Sequence, residues 1–465
     1  PDRKNPAYWE NGTIPWIKIQ DIKEKYVTET SEYITEEGLK NSSAFLMETD
    51  TILYTIFATI GKAGILKFKA CCNQAIVGIK PNEDIISKDY LYLHLIAIQS
   101  YYAQLSRGMA QNNINQTILK NAPLYLPPLA EQHRIVTKVD RLMALCDELE
   151  ARQKEERAGC LKLGTASLAG LQNAASPEEF ERQWTQVCDA FDLILDCPEN
   201  VDVLRKTILQ LGVMGKLRTQ VSTDEPVGKL LANIRKKKIK LINERKLKAS
   251  KPSEKENRYP QSILPSNWEW VSLENICEII NDGTHVTPSY SSKGIPFLSV
   301  GNLKGNSIDF TNCKFISIED HIELTKRCKP EKYDILLGKV GSTIGVCDVI
   351  THDEEFSIFV QLALLKPFKE FIDSHYVKYT ILSRLVQDQI LIGSAGSAMP
   401  YIGVGRIQSI VIPLPPLAEQ HRIVAKVDAL MALCDALESR LKERAAIQTK
   451  FTEAVVKNVG TGLIT

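Results

Sequence analysis

The sequence predicts an α+β chain in which two mixed α/β globules alternate with two long helices. Three observations predict it. Residues 126–152, LPPLAEQHRIVTKVDRLMALCDELEAR, return 288 residues later as 414–440, LPPLAEQHRIVAKVDALMALCDALESR. Only four of these 27 positions differ (Thr137/Ala425, Arg141/Ala429, Glu148/Ala436, Ala151/Ser439), so the chain is a tandem duplication. Within the repeat, Ile135, Val139, Leu142, Cys146 and Leu149 step by 4, 3, 4, 3. That is an apolar helix seam with a period of about 3.5 residues. Ahead of each repeat lies a strand-rich block, and the two blocks present similar features in the same order.

The composition sets outer bounds. A chain of 465 residues exceeds one domain. Hydrophobic and charged fractions of 44% and 24% are ordinary for a globular protein. Lys+Arg 57 against Asp+Glu 56 leaves +1, so bulk charge names no partner. The eleven cysteines include no C-x-x-C and no Cys/His group at zinc spacing. They read as buried free thiols in a reducing compartment. No run of 18 apolar residues predicts a membrane span and no signal peptide is visible, so a cytoplasmic protein is expected.

In chain order, block one (1–125) offers strands at 14–22, 50–61 and 74–80, a helix from Tyr90 to Leu105, a polar stretch at 107–116, and a last strand, APLYL, running into Pro127-Pro128. Those prolines stop what precedes them, and the repeat helix follows, on the order of 35 Å long from Ala130 to Arg152. Residues 126–258 read as mostly helical. Ser176-Pro177-Glu178-Glu179 is a helix start, and Leu204, Ile208 and Leu211 mark another helix over 201–217. Residues 235–258 hold eleven basic and three acidic residues. This run reads as a solvated helix, with a packed face at Ile239, Leu241 and Ile242, and then an exposed linker; contact with a polyanion is the competing reading. Block two (259–413) repeats the order of block one: IPFLSVGNL (295–303) answers IPWIKIQDI (14–22), and DILLGKVGSTIG (334–345) answers DTILYTIFATIG (50–61). GSAMPYI (396–402) answers GMAQNNI (108–114). The second repeat helix fills 414–465, its seam continuing through Ile423, Val427, Leu430, Cys434, Leu437 and Leu441 towards Phe451 and Val455.

The sequence lacks the usual signatures of catalysis. Gly338–Gly345 does not have phosphate-loop spacing, no G-x-G-x-x-G follows a strand, and neither N-P-P-[FY] nor a nucleophile-elbow motif occurs. His133 and His421 sit at matching helix starts without a fixed acidic partner and read as structural or docking residues. The chain reads as a non-enzyme, with no catalytic residue, no metal ligand and no cofactor of its own.

The alternation of variable block and LPPLAEQHRIV helix resembles the specificity subunit of type I DNA restriction–modification systems. YWENGTIPW (8–16), LRKTILQLGVMGKLRTQ (204–220) and LPSNWEWVSLENI (264–276) carry the resemblance further, over essentially the whole chain. It implies two target-recognition domains (1–125 and 259–413), a central conserved helical region (126–258) and a distal one (414–465), with the long helices packed antiparallel as a coiled-coil spacer and a pseudo-two-fold arrangement. It implies double-stranded DNA as partner, read as a bipartite asymmetric site, together with two methyltransferase subunits carrying S-adenosylmethionine and a motor-nuclease subunit using ATP and magnesium. Trp268 stands 28 residues before Pro296, whereas 14 residues precede Pro15 and nothing there matches WEWVSLENI. The first recognition domain is therefore expected to lack its opening strand and turn.

Under this resemblance, base edges are reached by loop residues able to donate and accept. The candidates in block one are Thr59, Lys62, Arg107, Gln111, Asn112, Asn113 and Asn115. In block two they are Lys339, Ser342, Thr343, Ser397, Ala398 and Tyr401. Lys18, Lys304 and Lys314 are candidate phosphate contacts. For each residue, turn chemistry on a solvated loop is the competing reading. The methyltransferase-docking candidates are the repeated residues read as outward-facing: Glu131, Gln132, Arg134 and Lys138, with Glu419, Gln420, Arg422 and Lys426. A purely internal coiled coil, or recent duplication, would also preserve them. The alternative for the whole chain is a coiled-coil adaptor with protein-binding β-rich domains. A stand-alone methyltransferase is disfavoured by the missing motifs.

Overall fold

Short β-branched and aromatic runs become strands in both blocks, and the strands pair in the same way twice. The computed structural model describes residues 1–57, 59–99, 114, 116–217, 219–244, 264–304, 307–394 and 400–462. They group into two compact units, 1–154 and 155–465.

Unit 1 contains β1 (Ile14–Ile17), β2 (Tyr26–Val27), β3 (Glu32–Ile34), β4 (Ile52–Thr55), β5 (Ala63–Leu66), β6 (Cys71–Cys72) and β7 (Ile76–Ile79), with helices α1 (Glu36–Lys40), α2 (Lys88–Ala97) and α3 (Gln116–Lys120). Helix α4 (Leu129–Asn173) begins in unit 1 and runs on into unit 2. Unit 2 continues with helices α5 (Pro177–Asp189), α6 (Phe191–Leu195), α7 (Glu199–Val213) and α8 (Val227–Asn243). Strands β8 (Glu269–Ser272), β9 (Cys277–Asp282), β10 (Ile295–Leu298), β11 (Leu303–Lys304), β12 (Ser307–Ile308), β13 (Lys314–Ile316), β14 (Ile335–Gly338), β15 (Cys347–Val349), β16 (Ser357–Ile358), β17 (Leu362–Pro367) and β18 (Val411–Leu414) follow. They are interspersed with helices α9 (Leu273–Ile276), α10 (Ile318–Thr325), α11 (Ser374–Leu382), α12 (Arg384–Ser394) and α13 (Val404–Gln408), and the chain reaches α14 (Leu417–Gly462). The architecture is mixed helix and sheet, with a long helix between the two sheet-bearing blocks.

The duplication holds to the level of register. β1 pairs antiparallel with β3 (Ile14 opposite Ile34, Pro15 opposite Tyr33) and parallel with β6 (Trp16 opposite Cys71). β10 pairs antiparallel with β13 (Ile295 opposite Ile316, Pro296 opposite Phe315) and parallel with β16 (Phe297 opposite Ser357). β4 lies between β5 and β7, both antiparallel, as β14 lies between β15 and β17. Interior strands are apolar on both faces: Ile52, Leu53, Ile65 and Leu66 in unit 1, and Ile335, Leu337, Leu364 and Leu365 in unit 2, are fully buried. Each such side chain contributes roughly 1.5–3 kcal/mol of transfer free energy.

Three sequence expectations change. The stretch 123–126 is not a strand, and Leu124, Tyr125 and Leu126 are exposed. Its counterpart β18 is a strand because β8 supplies its ladder, from Val411 opposite Ser272 to Leu414 opposite Glu269; a lone extended segment has no such hydrogen bonds to hold it. The first repeat helix does not stop at Arg152 but runs 45 residues, since no proline interrupts it before Asn173. The boundary expected near residue 258 is also not where the packing divides. Val201, Leu230 and Leu231 share one continuous core with Trp268, Ile280, Leu365, Ile423 and Val427, so the helices after 155 and block two bury their apolar faces together. The Ser176 hydroxyl accepts from Glu179 N at 3.1 Å as an N-cap, as expected, and α14 runs through Phe451 and Val455, although both side chains are exposed and the buried seam ends before them. The packed face of α8 is Leu230, Leu231 and Ile234, with Leu241 against the same core as expected, while Ile239 is exposed; residues 245–258 lie outside the described residues. All eleven cysteines are free, most of them buried or half-buried, though Cys146 and Cys188 are exposed.

Candidate nucleic-acid interface

The polar residues of block two converge at the end of β14. Lys339 follows the strand and is fully buried, its stem inside the sheet and its ammonium 2.8 Å from Asp282 Oδ2 and 3.2 Å from the Val360 carbonyl. Asp282 ends β9, and its other oxygen, Oδ1, accepts from Arg327 Nη2 at 2.8 Å. His285 Nε2 lies 3.3 Å from Oδ2. Burial pushes the Asp282 carboxyl up, but the hydrogen bond and charge of Lys339, followed by those of His285, outweigh this and hold it below the usual carboxylate value. A buried charge is tolerated when it is paired and hydrogen-bonded in this way.

The surrounding backbone is tightly set. Gly283 passes so close to the Ile358 carbonyl that a Cβ would stand 2.1 Å from its oxygen. Thr284 bridges to Phe359, and Val340 bridges to Tyr401. Gly341, at φ +64°, donates to the Pro400 carbonyl at 2.9 Å and turns the chain where a side chain would be strained. The Tyr401 ring lies 5.2 Å from the Lys339 ammonium and remains half-exposed. Lys339 therefore does not reach a base edge: its ammonium is spent on Asp282, and it braces the loop that shows Ser342 and Tyr401 to solvent. Ser342 is exposed, and the Thr343 hydroxyl donates to the Val340 carbonyl at 2.9 Å. Ser397 and Ala398 lie outside the described residues.

Block one does the same job with a neutral residue. Thr55, at the end of β4, is buried; its hydroxyl donates to the Thr59 carbonyl and accepts from Lys62 N at 2.9 Å. This leaves the Thr59 side chain exposed and Lys62 half-buried on the turn. Arg107, Gln111, Asn112, Asn113 and Asn115 lie outside the described residues. The three candidate phosphate contacts are engaged locally: Lys18 with Glu32 at 2.7 Å, Lys304 with Asp309 at 2.9 Å, and Lys314 over the Tyr290 ring at 3.9 Å.

Comparison with known proteins gives these sites a context. The sequence profile described as "Type I restriction modification DNA specificity domain" matches residues 1–157 and 265–446, both blocks and both repeat starts. The chain belongs to this family. The Escherichia coli type I restriction enzyme EcoAI specificity subunit is 27% identical over 387 residues, covering 81% of this chain and 65% of that protein. The EcoEI specificity subunit, also from Escherichia coli, is 26% identical over 396 residues with the same coverages. The chain thus spans just under two thirds of the length of these relatives. A chain from a solved type I R-M system shares the fold at a TM-score of 0.52 and 17% identity, covering 97% of this chain and 94% of that one.

In this member of the specificity family, the repeat residues taken as outward-facing divide into two groups. Gln132 and Gln420 are fully buried. Gln132 accepts from Ser87 N at 2.8 Å and donates to the carbonyls of Ile85 and Pro127. Gln420 accepts from Asp373 N at 2.8 Å and donates to the Pro415 carbonyl. Tyrosines add a matching clasp, Tyr90 to the Tyr125 carbonyl and Tyr376 to the Pro413 carbonyl, each at 2.7 Å. Glu419 is buried as well, accepting from Trp268 Nε1 at 2.9 Å and Thr219 Oγ1 at 3.1 Å, and burial pushes its carboxyl up despite those donors. Arg422 is held by Asp224 and the Thr219 carbonyl. These residues are not free docking groups, because each repeat spends them on its own unit. Arg134, Lys138 and Lys426 are exposed and Glu131 is half-exposed, ion-paired with Arg134. The sequence reading missed Asp282, His285 and Arg327. The polar Asn281-Asp282-Gly283 run that ends β9 was a visible signal, but nothing in sequence joins it to an arginine 45 residues later.

Proposed function

We propose that this chain is the non-catalytic DNA-recognition subunit of a type I restriction–modification complex, with each block reading one half of a bipartite, asymmetric duplex site. The observation that carries the reading is the family match across both blocks, joined to two blocks of the same strand register whose loop residues have diverged. A shared frame with different side chains at the strand ends suits two readers of different sequence. The repeat helices would act as a spacer between half-sites and would dock two adenine methyltransferase subunits, through them the motor-nuclease; Lys138, Lys426 and Arg134 are the exposed candidates. S-adenosylmethionine, ATP and magnesium would be held by those partners. The 45 residues of α4 correspond to roughly 68 Å of helix, about two turns of duplex.

The test is co-expression with the methyltransferase and motor subunits of a type I system from the same genome, followed by methylome sequencing. A split, asymmetric adenine-methylated motif is expected. Inserting one helical turn after Glu150 should lengthen the unspecified gap and leave both half-sites unchanged. A continuous motif, or no methylation dependent on this chain, would reject the reading.

A further inference from the structure

The Asp282 cluster contains a side chain in the arrangement that guanine recognition requires. A base reader must present two donors in a plane and must be held still, because a freely rotating side chain loses its rotamer entropy on binding. Arg327 meets both demands. Its backbone carbonyl accepts from Asn281 Nδ2 at 3.2 Å, and its Nη2 donates to Asp282 Oδ1 at 2.8 Å, while the side chain remains 54% exposed. Only one of its five N–H donors is used by Asp282. Asp282 is fixed in turn by the fully buried Lys339 and by the Gly283 passage against Ile358. Exposed on the segment that follows it are His285 and Val286, at 58% and 75% exposure, and Tyr401 flanks Lys339. A rigid carboxylate–guanidinium pair on a polar and aromatic surface is a poor candidate for stability alone: an ion pair with one exposed member contributes about 0–1 kcal/mol.

We propose that Arg327 is a specificity-determining residue of block two that makes a bidentate contact to the O6 and N7 edge of a guanine, with Asp282 and Lys339 as its positioning residues. This rests on the DNA-recognition reading above and goes beyond it by naming a base and its reader. Block one places the neutral Thr55 where block two has Lys339, so the contact is assigned to the half-site read by block two.

The experiment selects binders from a random duplex pool with the full chain at fixed ionic strength and compares wild type with Arg327→Ala, Arg327→Gln and Asp282→Asn. Wild type is expected to enrich a split motif containing a guanine in one half. Arg327→Ala should lower the preference at that guanine by about 10- to 100-fold and leave the other half unchanged. Arg327→Gln should move the preference towards adenine. Asp282→Asn should blunt the same position without changing the salt dependence of binding to random DNA, which a general structural loss would weaken. Should Asp282→Asn not fold, the half-exposed Arg327 variants still decide the matter. If Arg327→Ala enriches the wild-type motif at wild-type strength, the proposal is wrong while DNA recognition stands. If wild type enriches nothing, the recognition reading falls and this proposal with it.

Discussion

The two copies of the repeat helix share nearly all of their sequence and the clasp at their start, but not what covers the seam beyond it. In α14, Ile423, Val427 and Cys434 are 1–3% exposed, covered by α7. α7 comes close at Gly212, where a Cβ would stand 3.2 Å from Val427. Arg205 of α7 then reaches Asp435 at 2.8 Å and Glu438 at 2.6 Å. In α4 the matching residues are Ile135, Val139, Cys146, Asp147 and Glu150, identical in kind. Yet among the described residues of unit 1 nothing covers the lower part of this face, and Leu142, Met143 and Leu149 are at least half-exposed. The same holds for the flanking sheets: β18 has β8 beside it and β17 has β9, whereas in unit 1 the stretch 123–126 is unpaired and β7 is an edge of its described sheet. The covering elements without a counterpart among the described residues of unit 1, namely α7, β8 and β9, all come from residues 199–282. Near-identity of sequence therefore preserves the capacity to dock a helix, and the presence of that helix decides whether the seam is a core.

The strand ends offer the widest test of the difference. Asp282→Ala leaves the Lys339 ammonium buried without its carboxylate and should cost unit 2 about 3–5 kcal/mol. Thr55→Val, at the matching strand end of unit 1, removes two neutral hydrogen bonds and should cost about 1–2 kcal/mol. Hydrogen exchange resolved by unit measures both, since a two-unit chain need not unfold in one step. The pH dependence follows the same division. The Asp282 carboxyl is depressed in the folded state, so its contribution is present above the ordinary carboxylate value of 3.8 and is lost as pH falls through the lower folded value. The protection of amides around 282–285, taken relative to the intrinsic exchange rate at each pH, should fall in acid, and Asp282→Ala should abolish that fall. Equal costs in the two units would break the comparison.

A smaller effect is expected on the helix face itself. Cys434→Asp buries a charge against α7 and should destabilise unit 2 by about 3 kcal/mol, while Cys146→Asp at the identical position of the repeat should change unit 1 by less than about 0.5 kcal/mol. Comparable losses at both would mean that the face in α4 is covered. The smallest expected contrast is at the clasp, where the units are alike. Gln132→Ala and Gln420→Ala each strip hydrogen bonds from a buried backbone N–H and carbonyl, and each should cost its unit about 1–3 kcal/mol. A large inequality there would show that the clasp, too, depends on what surrounds it.

Much of this was legible in the sequence. The duplication, the strand-rich blocks, the helix starts at Ser176 and after the paired prolines, and the long final helix all follow from periodicity and from proline and N-cap chemistry, which act over a few residues. The strand-end loops were also found, since glycine and threonine at 343–345 and 59–61 mark them. What the side chains do in those loops was not legible. Lys339 was expected to read a base and instead pairs with Asp282, 57 residues away. Gln132, Gln420 and Glu419 were expected to face outward and instead hold backbone and indole groups of their own units. The seam pattern was equally apolar in both repeats, although only one is buried.

The sequence by itself determined the repeated architecture, because local periodicity dictates helix or strand and each copy carries the same periodicity. Only the tertiary structure decided which copy of the seam is a core and which polar residues are free. Burial and charge pairing depend on groups brought together from distant parts of the chain, Asp282 with Lys339 and Arg327, or Ile423 and Val427 with Gly212, and no local pattern encodes those meetings.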